Sequence, residues 1–225
     1  MFSCIIWSCT TFGCKSSVTK AVFLDRDGVI NEMVASVEGP DSPRSVDEFR
    51  LLPGVARAVR KLNDLGLRTV LVSNQPGAAK GKYPAANLDA MTEQMKAALG
   101  EELAVLDGIY YCMHHPDAVI SQYRGDCDCR KPKPGLLTLA ASEMDLGLAG
   151  SYMVGDMATD MIAGKSVGCT TLFIDGGHLT EAAPEADHIC RDLATAAQLI
   201  ERLEDRGVVT TDPVGERNGD FRRLR

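Results

Sequence analysis

The sequence predicts an α/β protein built on a doubly wound, Rossmann-like parallel sheet. Short apolar runs rich in β-branched and aromatic residues alternate with longer helical patterns along most of the chain. This alternation is typical of parallel sheets whose strands are joined by helices. Polar residues with reactive side chains follow several apolar runs directly, at the position where such sheets bind ligands. No inserted stretch is long enough to supply a large cap domain.

The predicted elements follow one another in regular order. Strands are predicted at residues 21–24, 69–72, 109–111, 152–154, 171–174 and 188–190. Helices are predicted at residues 53–65, 84–99, 134–146, 159–167 and 193–203. Proline opens three of these helices and glycine directly follows three of them, as expected at helix starts and ends.

The size and charge of the chain limit its class. With 225 residues, it is long enough for one domain with a full hydrophobic core. We assign that domain to residues 20–204, after a disordered extension over residues 1–19 and before a disordered tail over residues 205–225. The net charge of -7 argues against a nucleic-acid-binding protein, since such proteins are normally basic.

The apolar start of the chain is a weak targeting signal. It has no basic residue before its apolar run and is too short to span a membrane. The Gly13-Cys14 pair leaves a lipoprotein cleavage site as an alternative. We therefore expect a cytoplasmic protein without a membrane partner. The sequence sets no oligomeric state, and a monomer is compatible with it.

Four predicted strands end in chemically capable side chains. These are Asp25 and Asp27, Ser73 and Asn74, Cys112 and His114, and Asp156. Because the carboxyl ends of parallel strands meet at the same edge of a sheet, we expect these groups to converge at one rim.

The carboxylates among them indicate a divalent cation. Asp25 and Asp27 stand two residues apart, Asp156 follows another strand, and Asp160 lies one helical turn further on. Clustered carboxylates resist burial unless a cation neutralises them, and Mg²⁺ prefers oxygen ligands of this kind. For Asp160 two roles stay open: a place near the metal, or a first-turn carboxylate that faces the helix dipole.

Such a rim is also suited to phosphoryl transfer. An aspartate can accept the phosphoryl group while a second one exchanges protons with the leaving oxygen and with water. Ser73, Asn74 and Lys131 are candidate donors to the phosphoryl oxygens. A single Asp pair after a strand is more often a turn or a helix cap, so this hypothesis depends on all four strand ends together.

Four motifs resemble those of haloacid-dehalogenase-type phosphatases, in the same order along the chain. They are Asp-Arg-Asp-Gly-Val at residues 25–29, Ser-Asn-Gln at 73–75, Lys-Pro at 131–132 and Gly-Asp-x-x-x-Asp at 155–160. The resemblance implies that Asp25 is the nucleophile and Asp27 the general acid/base. It also implies that Ser73 and Lys131 stabilise the phosphoryl group, and that Asp25, Asp27 and Asp156 hold Mg²⁺.

A second metal site is predicted in the middle of the chain. Cys112-x-His114 and Cys127-x-Cys129 offer three thiolates and one imidazole, a set typical of structural zinc. The loop between them is polar and lacks the apolar residues to fold alone, so Zn²⁺ would explain its order. His115 is the alternative to His114 as a ligand, and reduced surface cysteines are the alternative to a zinc site.

The zinc loop narrows the resemblance to one branch of these phosphatases. Cys-x-His followed by Cys-x-Cys-Arg-Lys-Pro, and the run at residues 107–116, are similar to D-glycero-D-manno-heptose 1,7-bisphosphate phosphatases and the related histidinol-phosphate phosphatases. The resemblance implies a 7-phosphatase of the heptose bisphosphate, in carbohydrate metabolism. Asn74, Gln75 and Arg130 are the candidate substrate contacts, and an ordinary solvated charge is the alternative for Arg130. Histidinol phosphate or another small phosphorylated metabolite is the alternative substrate, and a catalytically idle zinc-binding scaffold is the alternative outside enzymes.

Three departures from that branch bear on the substrate. Ser73 and Pro76 stand where relatives often carry Thr and Ser, and Met157 stands where some carry a substrate-binding Lys. The segment at residues 32–48, the expected specificity loop, is unlike the heptose pattern. All groups needed for the chemistry are present.

Overall fold

The computed structural model describes residues 18–37, 39–176 and 186–207. Its strands are β1 (Ala21–Leu24), β2 (Val34–Ser36), β3 (Gly39–Asp41), β4 (Arg68–Asn74), β5 (Gly108–Cys112), β6 (Tyr152–Gly155), β7 (Thr170–Ile174) and β8 (His188–Cys190). Its α-helices are α1 (Val55–Asp64), α2 (Ala85–Gly100), α3 (Gly135–Met144), α4 (Ala158–Ser166) and α5 (Leu193–Gly207). All six predicted strands and all five predicted helices are confirmed.

Six of the strands form one parallel sheet in the order β5-β4-β1-β6-β7-β8. Side chains of successive residues in β1 point to opposite faces, as in any strand. Val22 and Leu24 pack with α1, α2 and α5, whereas Phe23 packs with α3 and α4. Helices therefore cover both faces, and the predicted doubly wound architecture is confirmed.

The chain order places a switch point at the centre of the sheet. From β1 the chain runs outward through β4 and β5, and then returns to the other side of β1 with β6. Ligands bind at such a point, beyond the carboxyl ends of the two strands that flank it. The loops that follow β1 and β6 are those that carry Asp25 and Asp156.

An antiparallel hairpin of β2 and β3 fills the connection between β1 and α1. Sequence analysis predicted no strands there, because each strand has only three residues and β3 contains Pro40 and Asp41, residue types that are depleted in strands. Within the described residues no inserted domain covers the sheet.

The ends of the chain lie mostly outside the described residues. The predicted extension and tail fall there, apart from residues 18–19 and the last turn of α5, which continues past residue 204 to Gly207. Among the described helices, none is both long and apolar enough to cross a membrane.

Candidate active site

Three carboxylates from different parts of the chain meet at the switch point. Carboxylate oxygens of Asp25, Asp156 and Asp160 all lie within 4.8 Å of one another. The backbone N–H of Asp25 donates to the carbonyl of Val154 at 3.0 Å, which ties the end of β1 to the end of β6. The predicted convergence of Asp25 and Asp156 is thus what the fold produces.

Two glycines make this convergence sterically feasible. A Cβ added at Gly28 would lie 2.1 Å from Oδ2 of Asp156, and one at Gly155 would lie 2.4 Å from the Asp160 carboxylate. Gly28 also has a φ of 76°, in the left-handed region that favours glycine. The close approach of the carboxylates therefore depends on missing side chains at both positions.

The buried Lys131 is the cation that faces these carboxylates. Its Nζ lies 2.9 Å from Oδ1 of Asp25 and 2.5 Å from Oδ1 of Asp160, and it donates to the carbonyl of Val72 at 2.8 Å. Burial disfavours the charged ammonium, but the two carboxylates outweigh burial and raise the pKa of Lys131. Lys131 therefore stays charged at the rim, as a donor to phosphoryl oxygens must.

Asp160, whose role the sequence left open, belongs to this cluster. It is fully buried, and its Oδ2 accepts a hydrogen bond from the backbone N–H of Met157 at 3.1 Å. Burial raises the pKa of Asp160 to about 6, against the opposing effect of Lys131. Asp160 thus serves the start of α4 and contacts Lys131 at the same time.

The charges of the cluster do not balance. Three carboxylates face one ammonium, and burial, followed by the charges of Asp25 and Asp160, raises the pKa of Asp156 to about 8. A divalent cation among oxygen ligands would relieve this repulsion. The donor set therefore fits Mg²⁺ with Asp25, Asp156 and Asp160 as its neighbours.

The carboxylate of Asp27 is directed away from the cluster. Its Oδ1 accepts from Nε and Nη2 of Arg26 at 3.0 and 2.9 Å and from Nδ2 of Asn31 at 2.9 Å. Its Oδ2 accepts from Oγ of Ser42 and from Nε2 of Gln75, both at 2.7 Å, and from Nη2 of Arg26 at 3.2 Å. Burial alone would raise the pKa of Asp27, but Arg26 and these donors lower it.

Because its side chain is engaged in this way, Asp27 is not among the clustered carboxylates. The structure therefore does not place the Asp27 carboxylate at the predicted magnesium site. Main-chain carbonyl oxygens are also ligands for hard cations, and Asp27 has one besides its engaged carboxylate.

The donor side chains predicted on β4 hold the rim together. Asn74 exchanges two hydrogen bonds with the backbone of Lys131, each at 3.1 Å, and so fixes the lysine-bearing loop to the end of β4. Gln75 and Ser73 are both 1% exposed, and Nε2 of Gln75 donates to Oγ of Ser73 at 3.2 Å. Gln75, predicted to contact substrate, thus has protein partners on both sides.

The predicted zinc ligands lie together. The Sγ atom of Cys112 is 3.6 Å from that of Cys127 and 3.2 Å from that of Cys129, and Nδ1 of His114 is 3.5 Å from Cys129 Sγ. A tetrahedral Zn²⁺ with Zn–S bonds of about 2.3 Å separates its sulfurs by somewhat under 4 Å. Burial raises the pKa of Cys112 and of Cys129, which a bound cation would reverse.

The imidazole in this set is that of His114. The neighbouring His115 accepts a hydrogen bond at Nδ1 from the backbone of Asp117 at 3.1 Å and is not among the clustered ligands. Of the two histidines that the sequence left open, the geometry selects His114.

The cysteine cluster leads directly to the catalytic rim. Arg130 follows Cys129 and donates from Nη1 to the carbonyl of His114 at 3.1 Å, and Lys131 comes next. Arg130 also lines a cavity of about 190 Å³ together with Lys80, His115 and Ser42. This cavity borders the hydroxyl that contacts Asp27, and its cations suit the anionic remainder of a substrate.

Sequence reasoning missed three partners of Asp27: Arg26, Asn31 and Ser42. Arg26 is 1% exposed, and its position between Asp25 and Asp27 directly after a buried strand was a signal, since a buried arginine requires a carboxylate. Nothing local in the sequence indicated Asn31 or Ser42, because both reach Asp27 only through the folded connection.

The comparisons with known proteins agree with this geometry. Residues 128–196 match the family model described as "HAD-hyrolase-like". The fold, the carboxylate cluster and this match together define a haloacid-dehalogenase-like hydrolase.

Full-length relatives narrow the assignment. The D-glycero-beta-D-manno-heptose-1,7-bisphosphate 7-phosphatase of Escherichia coli strain K12 is 40% identical, over 82% of this chain and 95% of its own length. The enzyme of the same name from Yersinia pestis is 38% identical, over 80% of this chain and 94% of its own length. The chain belongs to this family of haloacid-dehalogenase-like phosphatases, and the resemblance found in the sequence is confirmed.

Solved structures show the same fold. The crystal structure of the D,D-heptose 1,7-bisphosphate phosphatase from B. bronchiseptica, complexed with magnesium and phosphate, matches with a TM-score of 0.70 at 34% identity. The match covers 82% of this chain and 99% of that one. The corresponding enzyme from Burkholderia thailandensis matches with a TM-score of 0.59 at 28% identity, over 81% of this chain and 99% of its own.

Proposed function

We propose that this chain is a magnesium-dependent phosphomonoesterase that removes the 7-phosphate of D-glycero-D-manno-heptose 1,7-bisphosphate through an aspartyl-phosphate. The observation that carries the proposal is the meeting of Asp25 with Asp156, Asp160 and Lys131 at the switch point. Asp27 stands two residues from the nucleophile, as the proton carrier. The names of the relatives support the substrate.

In the first step a carboxylate oxygen of Asp25 attacks phosphorus. The bond between phosphorus and the sugar oxygen breaks, and the proton of Asp27 passes to that oxygen, so that the sugar leaves as an alcohol. The ammonium of Lys131 and the hydroxyl of Ser73 donate to the phosphoryl oxygens, where charge concentrates during transfer.

In the second step water attacks the phosphorus of the aspartyl-phosphate. Asp27 takes a proton from the water, the bond between phosphorus and the Asp25 oxygen breaks, and inorganic phosphate leaves. Both aspartates then regain their starting forms. Mg²⁺ held by Asp25, Asp156 and Asp27 would neutralise the phosphate charge that the carboxylates otherwise repel.

Zn²⁺ has a different role in this proposal. Cys112, His114, Cys127 and Cys129 would hold it with four protein ligands and no open position, so its role would be structural. This ligand set would fix the backbone immediately before Arg130 and Lys131. We place the enzyme in the cytoplasm.

The test compares substrates and variants in the presence of Mg²⁺. Phosphate release from the heptose bisphosphate should exceed release from histidinol phosphate, and Asp25→Asn should abolish it while circular dichroism stays unchanged. Faster hydrolysis of histidinol phosphate would reject the heptose assignment. Substantial turnover by folded Asp25→Asn would reject the aspartyl-phosphate.

A further inference from the structure

The β2–β3 hairpin delivers a hydroxyl to the carboxylate of Asp27. Ser42 directly follows β3, and its Oγ lies 2.7 Å from Oδ2 of Asp27. Asp27 itself is 8% exposed, so this contact lies at a carboxylate that is almost fully buried. The hydroxyl also borders the 190 Å³ cavity described above, which Lys80 and Arg130 line as well.

The position of this hydroxyl is fixed by charged contacts of the hairpin. Oδ2 of Asp41 pairs with Nζ of Lys82 at 2.7 Å and with Nη2 of Arg44 at 2.9 Å. Oδ1 of Asp41 accepts from the backbone N–H of Ser42 at 3.0 Å. Ser42 is therefore held beside Asp27 by its own neighbour, which is tied to the loop after β4.

The other partners of Asp27 present a chemical problem for its role. The guanidinium of Arg26 and the amide nitrogens of Asn31 and Gln75 all donate to the carboxylate, and such groups cannot accept. They favour the ionised form, whereas the first step of the reaction requires a proton on one oxygen. Oδ1 accepts only from such fixed donors, so none of its partners can accept a hydrogen bond from a proton placed there.

Oδ2 also accepts from fixed donors, Nε2 of Gln75 at 2.7 Å and Nη2 of Arg26 at 3.2 Å, but its third donor is the hydroxyl of Ser42. A serine O–H can rotate and can accept a hydrogen bond as well as donate one. Of the described side chains that hydrogen-bond to Asp27, Ser42 alone has this property as the groups are oriented.

We infer that Oδ2 is the proton-bearing oxygen of Asp27, and that Ser42 is a positioning residue whose hydroxyl accepts from Oδ2–H in the acid form and donates to Oδ2 in the base form. This inference rests on the proposed role of Asp27 as general acid/base. When the proton passes from Oδ2 to the leaving sugar oxygen, the Ser42 hydroxyl rotates back and donates to the carboxylate that remains. When water returns a proton to Oδ2, the rotation reverses, so no proton is gained or lost at Ser42.

The test compares two substrates whose leaving groups differ in their need for a proton. A sugar alkoxide needs protonation as its bond to phosphorus breaks, whereas 4-nitrophenolate leaves readily without it. kcat/KM reports the first chemical step for both substrates. In Ser42→Ala we expect kcat/KM for the heptose bisphosphate to fall by about 10-fold to 100-fold, a fraction of the 10²–10⁴ typical of general acid catalysis. For 4-nitrophenyl phosphate we expect a change of less than about twofold.

Two matched variants separate positioning from structure. Ser42→Thr keeps a hydroxyl and should restore most of the lost kcat/KM. Ser36→Ala removes another hairpin hydroxyl, which donates to the carbonyl of Gly39 at 2.6 Å, and should leave both substrates near wild type. Equal losses on both substrates in Ser42→Ala, no loss on either, or the same leaving-group pattern in Ser36→Ala would overturn the inference.

The same assays separate this inference from the proposed function. Asp27→Asn should lose the heptose bisphosphate activity almost completely. If Asp27→Asn kept that activity, the proposed role of Asp27 would fail, and the inference with it. If Asp27→Asn were inactive but Ser42→Ala affected both substrates alike, the inference alone would fail.

Discussion

Asp156→Asn should stabilise the metal-free protein while abolishing its magnesium-dependent activity. Burial and the charges of Asp25 and Asp160 raise the pKa of Asp156 to about 8, from the 3.8 of the unfolded chain. The folded state therefore binds more protons than the unfolded state between these values, and the stability of the wild type falls as pH rises through this window. Asparagine carries no charge and removes this penalty.

The size of the effect follows from the shift. Each pH unit within the window costs about 1.4 kcal/mol for a group that stays protonated only in the folded state, so about 4 kcal/mol separates pH 5 from pH 8. The stability of the variant still falls somewhat as pH rises, because the pKa of Asp160 is also raised in the folded state. We therefore expect Asp156→Asn to exceed the wild type by about 2–4 kcal/mol at pH 8 and to approach it near pH 4.

The assay is urea unfolding at several pH values in magnesium-free buffer without chelator, so that bound zinc is retained. Added Mg²⁺ should raise the stability of the wild type most at high pH and should not affect Asp156→Asn. A variant that is no more stable than the wild type at pH 8 would refute the reasoning, because it would mean that the carboxylate cluster carries no excess charge.

Three further predictions concern the groups around this cluster. Lys131→Met leaves buried carboxylates without their cation and should cost about 3–5 kcal/mol in urea unfolding, with phosphatase activity falling at least about 100-fold. Cys129→Ser should lower the zinc content below one per chain by metal analysis and expose the zinc loop to limited proteolysis. Gly28→Ala should reduce stability and magnesium-dependent activity more than Gly54→Ala, since both glycines have a left-handed φ but only Gly28 would clash with Asp156. Equal effects of the two alanines on activity would contradict the steric account.

The sequence was sufficient to predict the sheet, because its signals are local. Each strand is a short apolar run, each helix a longer periodic one, and the parallel order follows from their alternation. The convergence of Asp25 and Asp156 followed in turn, since the carboxyl ends of neighbouring parallel strands must share an edge. No knowledge of particular contacts was needed for either inference.

The orientation of Asp27 could not be predicted in the same way. Residues two apart in a strand share a face, but the chain leaves β1 at Leu24 and turns at Gly28. Asp27 therefore faces Arg26 and the β2–β3 hairpin instead of the carboxylate cluster. That hairpin is held by long-range ion pairs such as Asp41–Lys82, which leave no pattern in a window of sequence.

Asp160 shows why local and long-range roles are hard to separate from sequence. Its place in the first turn of α4 predicted an interaction with the helix start, and Oδ2 makes that contact with the N–H of Met157. Its other oxygen contacts Lys131, which is brought there by the loop that follows the cysteine cluster. One carboxylate thus serves, through its two oxygens, both the local role and a place in the cluster, between which the sequence could not choose. A first-turn carboxylate next to a motif of this family is therefore better treated as a candidate for both.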